Sequence, residues 1–225
     1  MDMYDFSGHL MDGAFGSVYS AIRRADGLPV AVKVVRNSSA SYLTNESGET
    51  ILAEAHFLWV VSGIEGCIGF VDVHQVGDRH LLVMERPLRS SDLFQVLEKV
   101  GNIPKERCRC FFRQIVDACV GCLKRNVVHG DLKMENVIVD LDTDRIGFRF
   151  RQIRRRPTDR QRFRNHRSLP SSGDAETSIH IIDDAELLSL LDRMLAVDWR
   201  KRPSLKQVSD HPWTNKLTAN GEYVQ

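Results

Sequence analysis

No apolar run in the 225 residues approaches the ~18 consecutive positions a membrane-spanning helix needs. The opening Met1-Asp2-Met3-Tyr4-Asp5 is acidic where a secretory leader is basic, so no signal peptide is expected. Cysteine is scarce and odd in number, five in all, which argues for a reduced, cytoplasmic or nuclear setting over a disulfide framework. Net charge is nearly absent too, at +1 from 31 Lys and Arg against 30 Asp and Glu. The balance hides a local excess. Between Arg145 and Arg167 stand ten Arg, no Lys and one acid, Asp159, for a charge of +9. Taken from the total, this leaves −8 on the remainder. What is present is 42% apolar residues, enough for one domain or two small lobes with a real core.

The first third reads as strands. Pro29 to Val35 is β-branched, with Asp26-Gly27 before it and Asn37-Ser38-Ser39 after it. Tyr4 to Leu10 and Val18 to Arg23 read as two more strands, and Val71 to Val76 with His80 to Met84 as a hairpin about Gly77-Asp78. Glu49 to Val61 carries a helical spacing of apolar residues. Helices are then expected over Asp92 to Val100, Pro104 to Lys124 and Asp184 to Val197, with a short one from an N-capping Ser204 to Ser209. Asp144 to Asp174 has no apolar periodicity and reads as irregular.

Three separated features carry chemistry. In Leu10-Met11-Asp12-Gly13-Ala14-Phe15-Gly16-Ser17-Val18, Gly13 and Gly16 stand in a strand–turn–strand where backbone N–H groups can approach phosphate oxygens. Lys33 shares a strand face with Ala31 and Val35, otherwise apolar, so its charge needs a partner, and Glu54 is the candidate. The third is Val128-His129-Gly130-Asp131-Leu132-Lys133-Met134-Glu135-Asn136. An Asp, a Lys two residues on and an Asn three further suit phosphoryl transfer: Asp131 as base, Lys133 on the γ-phosphate, the Asn136 amide oxygen on Mg²⁺.

Together these resemble the eukaryotic protein kinases, whose Gly-rich loop, V-A-I-K and H-R-D-L-x-x-x-N appear here as D-G-A-F-G-S-V, V-A-V-K and H-G-D-L-K-M-E-N. Met84-Glu85-Arg86-Pro87, followed by Ser91-Asp92-Leu93-Phe94, is similar to the hinge of the PIM-type serine/threonine kinases. The resemblance covers Tyr4 to about Ile146 and Asp184 to about Trp213. It implies an α+β, two-lobed fold: an N-lobe of antiparallel sheet plus one helix over 1–84, and the first part of a truncated helical C-lobe over 85–146. An Arg-rich irregular segment (147–180), the closing helices (181–215) and a tail (216–225) would follow. ATP and Mg²⁺ are the implied cofactors and a protein Ser/Thr hydroxyl the implied acceptor, for a monomer needing neither membrane nor nucleic acid. Leu10, Val18, Ala31 and Ile138 would sandwich adenine, with Met84 as gatekeeper and Glu85 in the hinge. Lys33, paired with Glu54, would hold the α/β-phosphates.

The departures bear on activity. Met11 stands for the first glycine of the loop, and Gly130 for the Arg before the catalytic Asp. No D-F-G follows Val139 and no A-P-E follows that, so Mg²⁺ lacks a ligand and Arg202 lacks its usual Glu partner. The stretch from Ile146 to Asp184 is too short for the central helices of the helical lobe, whose core is then expected to stay open. Ile181-Ile182-Asp183 sits too close to the late helix to be a displaced substitute for D-F-G. With permissible codons, residues 147–174 shifted by one base yield D-F-G-S-G, F-G-T-I-A and Y-R-P-P-E in order, so Gly147 to Thr177 reads as an activation segment out of frame.

As written, the chain is expected to be an impaired serine/threonine kinase. The competing classes are a non-catalytic nucleotide-binding or interaction module and, more remotely, a basic nucleic-acid binder through the Arg run. Cys108, Cys110, Cys119 and Cys122 fall on one expected helix and cannot wrap a zinc ion.

Overall fold

The computed structural model describes residues 3–13, 16–44, 48–150, 154–155 and 184–215. Its N-terminal part is a five-stranded antiparallel sheet of β1 (Tyr4–Gly13), β2 (Gly16–Arg23), β3 (Pro29–Arg36), β6 (Phe70–Val76) and β7 (Arg79–Glu85), in the order β1-β2-β3-β7-β6. Alternation along β3 sorts its side chains. Val30 and Val32 pack with Tyr4, Ala21, Leu81 and Val83 on one face, while Ala31 joins Leu82 and Met84 in the main core on the other. Lys33 shares the face of Ala31, as the period of two requires.

The expected helix from Glu49 begins later. Thr50–Leu52 is a strand, β5, paired with β4 (Tyr42–Thr44), and α1 runs over Ala53–Val61. The β-branched Thr50 and Ile51 take the ladder in place of the helix. Glu54 thereby falls in the first turn of α1, while Ala55, Phe57, Leu58 and Val61 are buried.

The second part is built around α3 (Lys105–Lys124), preceded by β8 (Ser90–Asp92) and α2 (Leu93–Val100). Asp92 caps α2 by accepting the Gln95 N–H at 2.9 Å. After α3 come β9 (Val127–Val128), β10 (Val137–Asp140), β11 (Ile146–Phe148) and β12 (Arg154–Arg155). β10 lies between β8 and β11 in a small antiparallel sheet, and β12 pairs with β9.

The start of the Arg-rich stretch is therefore not irregular. Ile146, Phe148 and Phe150 are buried, at 6%, 0% and 5% exposure. They alternate with Gly147 and Arg149, a period of two that the run of arginines hides. Apart from β12, the remainder of that segment lies outside the described residues, with the expected out-of-frame activation segment beyond Phe150 and Ile181-Ile182-Asp183.

The helical core closes further than the missing helices imply. α4 (Ala185–Met194), α5 (Leu205–Ser209) and α6 (Pro212–Asn215) pack on α3, burying Leu190, Val208 and Trp213 against Val116, with Phe112 alongside. Asp184 holds the junction: it caps α4, accepts the Trp213 indole N–H at 3.2 Å and pairs with Lys105. The Lys105 ammonium beside it pulls its carboxyl down to about 2. Closure is incomplete. α4 ends at Met194 rather than Val197, and Leu195 and Val197 beyond it are 73% and 98% exposed. Ser204 caps α5 in a capping box with Gln207, as expected. Arg202 donates to the Ala196 carbonyl at 2.9 Å.

All four α3 cysteines have free thiols. Among the described residues no three His, Cys, Asp or Glu side chains form a metal cluster, and no helix is long and apolar enough to cross a membrane.

Candidate active site

A cavity of about 450 Å³ lies between the five-stranded sheet and the helical part, a volume suited to a small-molecule ligand. Leu10, Gly16, Val18 and Ala31 line it from β1, β2 and β3, Met84 and Glu85 from β7, and Ile138 from β10. Lys33, Glu54 and Asp131 bring charge to the same space. Two expected residues do not line it: Lys133 is exposed at 4.0 Å from Glu135, and Asn136 is fully buried behind Asp131. Gly13 pairs with Gly16 across the β1–β2 turn.

The backbone at the β1–β2 turn requires glycine at position 16. Gly16 has φ +135°, and a Cβ there would come within 1.9 Å of the Val34 carbonyl oxygen. On β3, Lys33 Nζ reaches both carboxylate oxygens of Glu54, at 2.6 and 2.7 Å. The pair is largely shielded, with side chains 9% and 18% exposed, so α1 is tied to the sheet at the cavity wall.

The floor is the turn between β9 and β10. Gly130 turns the chain at φ +76°, which brings the Asp131 N–H to His129 Nδ1 at 3.3 Å. Asn136 Nδ2 donates to the Asp131 carbonyl at 2.7 Å and to Asp131 Oδ2 at 2.9 Å. One carboxylate oxygen is thus held from behind, which orients the group towards the cavity. Asn136 Oδ1 is buried and has no hydrogen-bond partner among the described residues.

His129 ties this turn to the end of β11. Its Nε2 lies 3.1 Å from the Arg149 carbonyl, and its ring packs at 5.3 Å on Phe148 and 4.9 Å on Phe150. The Arg149 N–H donates to the Asn136 carbonyl at 2.8 Å. With Nδ1 accepting from Asp131 and Nε2 donating to Arg149, the imidazole is neutral, and burial pushes it below its usual range. The unfolded chain therefore takes up this proton first, near pH 6.5. Stability from His129 is complete above that pH and falls as pH drops through the lower folded value, by at most about 1.4 kcal/mol per pH unit. Urea unfolding from pH 7.5 to 5.5 is expected to show that slope, and His129→Asn to flatten it. Equal slopes in the two proteins would mean that His129 is not buried neutral.

Several lining residues were given no role by the motif reading, among them Ile68, Gln95, Arg149 and Phe150. Arg149 matters most. It follows β11 directly, lies on the cavity wall, and its Nη1 reaches Met11 Sδ on β1 at 2.9 Å. The available signal was positional: a strand returning beside β10, with Arg149 directly after it.

Known proteins agree with this geometry in extent as well as in kind. The chain is 35% identical over 140 residues to the serine/threonine-protein kinase prk-2 of Caenorhabditis elegans, an alignment covering 62% of this chain and 32% of that protein. It is 31% identical over 150 residues to the serine/threonine-protein kinase pim-2 of Danio rerio, covering 62% and 48%. The chain thus spans from a third to a half of the length of these relatives. The sequence profile of the protein kinase domain matches residues 4–149 and stops at the arginine on the cavity wall; by that match, over more than half its length, the chain belongs to the protein kinase domain family.

Proposed function

We propose that this chain binds ATP in the cavity between its two parts and, in the form described, does not carry out efficient γ-phosphoryl transfer to a protein Ser/Thr hydroxyl. The names of prk-2 and pim-2 support a Ser/Thr kinase ancestry, and the Met84-Glu85-Arg86-Pro87 segment supports a PIM-like one. The apolar slot of Leu10, Val18, Ala31, Met84 and Ile138 suits a purine, and Pro87 removes one backbone donor beside it. Lys33, held by Glu54, is placed for phosphate oxygens, and Asp131, held by Asn136, for the proton of an incoming hydroxyl.

One observation carries the second half of the proposal. Protein kinases use ATP with Mg²⁺, held by an Asp after this strand and by the catalytic-loop Asn. Here Asn136 Oδ1, without a partner among the described residues, offers one oxygen, but the residue after β11 is Arg149. A guanidinium repels a dication, so the side chains present do not fit Mg²⁺. With neither that metal site nor an A-P-E segment, a hydroxyl deprotonated by Asp131 would attack a γ-phosphate whose developing charge is poorly neutralised.

The test combines calorimetric titration of the chain with ATP and adenosine and transfer from radiolabelled ATP with Mg²⁺ to Ser/Thr peptides. Nucleotide binding is expected, with transfer no faster than in Asp131→Asn. Transfer that Asp131→Asn abolishes would overturn the impaired-catalysis reading. Failure to bind either nucleotide would overturn the whole proposal.

A further inference from the structure

We infer that the cavity takes a nucleoside triphosphate free of divalent cation, with the Arg149 guanidinium in the place of the metal's charge. This rests on the nucleotide-binding reading above and deepens it. Three observations support it. The Arg149 backbone is pinned on both sides, its N–H on the Asn136 carbonyl at 2.8 Å and its carbonyl on His129 Nε2 at 3.1 Å. The root of the side chain is therefore set by the same turn that orients Asp131.

The side chain also reaches from the helical part to the sheet. Arg149 is rooted beside Asn136, and its Nη1 meets Met11 Sδ on β1 at 2.9 Å. Met11 pairs with Val18 of β2, and all three of Met11, Val18 and Arg149 line the cavity. Phosphate oxygens accept charge-assisted, bidentate hydrogen bonds from a guanidinium.

The third observation is the distribution of charge. Lys33 of β3 and Arg149 at the end of β11 both line the cavity, together with the carboxylates of Glu54 and Asp131. Glu54 accepts twice from Lys33, and Asp131 accepts from Asn136. A triphosphate entering between the two cations gains charge-assisted and bidentate hydrogen bonds without an ion of its own. The same triphosphate carrying Mg²⁺ would bring a dication against the guanidinium. Arg149 thus inverts the cation requirement: what abolishes the metal site also replaces its charge.

The experiment is calorimetric titration of the full chain with ATP and with adenosine, each in EDTA and in excess MgCl₂. ATP is expected to bind several-fold tighter in EDTA, with adenosine indifferent to the metal. Arg149→Ala should weaken ATP about tenfold in EDTA, the loss of a charge-assisted contact, and leave adenosine unchanged. Arg149→Lys should retain part of the ATP affinity, and Arg149→Asp should make ATP binding depend on Mg²⁺. Unchanged adenosine affinity shows that each variant is folded. ATP binding by the unaltered chain only with Mg²⁺, or an Arg149→Ala affinity equal to it, overturns this inference while leaving the nucleotide site standing. Binding of neither ligand under any condition removes both.

Discussion

Replacing Lys33 by methionine is expected to destabilise the chain by about 3 kcal/mol, through the two short hydrogen bonds it makes to Glu54 in a shielded site. Methionine keeps the length and apolar stem of lysine, so little packing is lost and the effect reports the charge. A carboxylate that is 18% exposed cannot recover full hydration where the ammonium stood. Urea unfolding followed by tryptophan fluorescence measures the loss. The double variant Lys33→Met with Glu54→Leu is expected to regain a large part of it, since it buries no orphaned charge. Equal stability of Lys33→Met and the unaltered chain would mean that the pair is solvated and does not tie α1 to the sheet.

Phe148→Ala is expected to cost about 3–5 kcal/mol, the range for emptying a buried aromatic site. The side chain has no exposed surface, and it packs edge-on against the His129 ring and against Phe150. Its backbone N–H donates to the Gly66 carbonyl at 2.9 Å, joining the end of β11 to the loop after α1. For a chain of this size the melting temperature should fall by roughly 10 °C. Phe148→Leu, which keeps most of the volume, should cost roughly 1–1.5 kcal/mol. Because Phe148 stands where the arginine run begins, the measurement asks whether that run starts inside the core or after it. A loss below about 1 kcal/mol for the alanine variant would put it outside.

Much of the site was legible before the fold. The pairing of Lys33 with Glu54 followed from one charge on an apolar strand face, and alternation is a local property of any strand. The turn holding Asp131 and Asn136 was legible because its residue types are specific at that spacing. The placement of Asn136 behind Asp131 and the exposure of Lys133 were not. They depend on how the turn folds back on β10, which spacing does not encode. Boundaries slipped where two local preferences competed, as at Thr50–Leu52, where a ladder with β4 took residues that also carry helical spacing.

By itself the sequence determined the class of the protein: a strand-rich first part, a phosphate-type glycine turn, a buried lysine and a catalytic-type loop, each read within a dozen residues. Only the tertiary structure decided what the arginine-rich stretch does. Composition presented it as one solvated charged run, yet its first members divide between core and cavity. Phe148 is wholly buried, Phe150 is buried and also borders the cavity, and Arg149 between them lines the same cavity. The physical reason is that β11 is packed from outside its own sequence, by Gly66, His129 and β10. In the same way, α4, α5 and α6 found their partner in α3, a surface no local periodicity could assign to them. Periodicity says which face of an element is buried; only the assembled chain says what covers it.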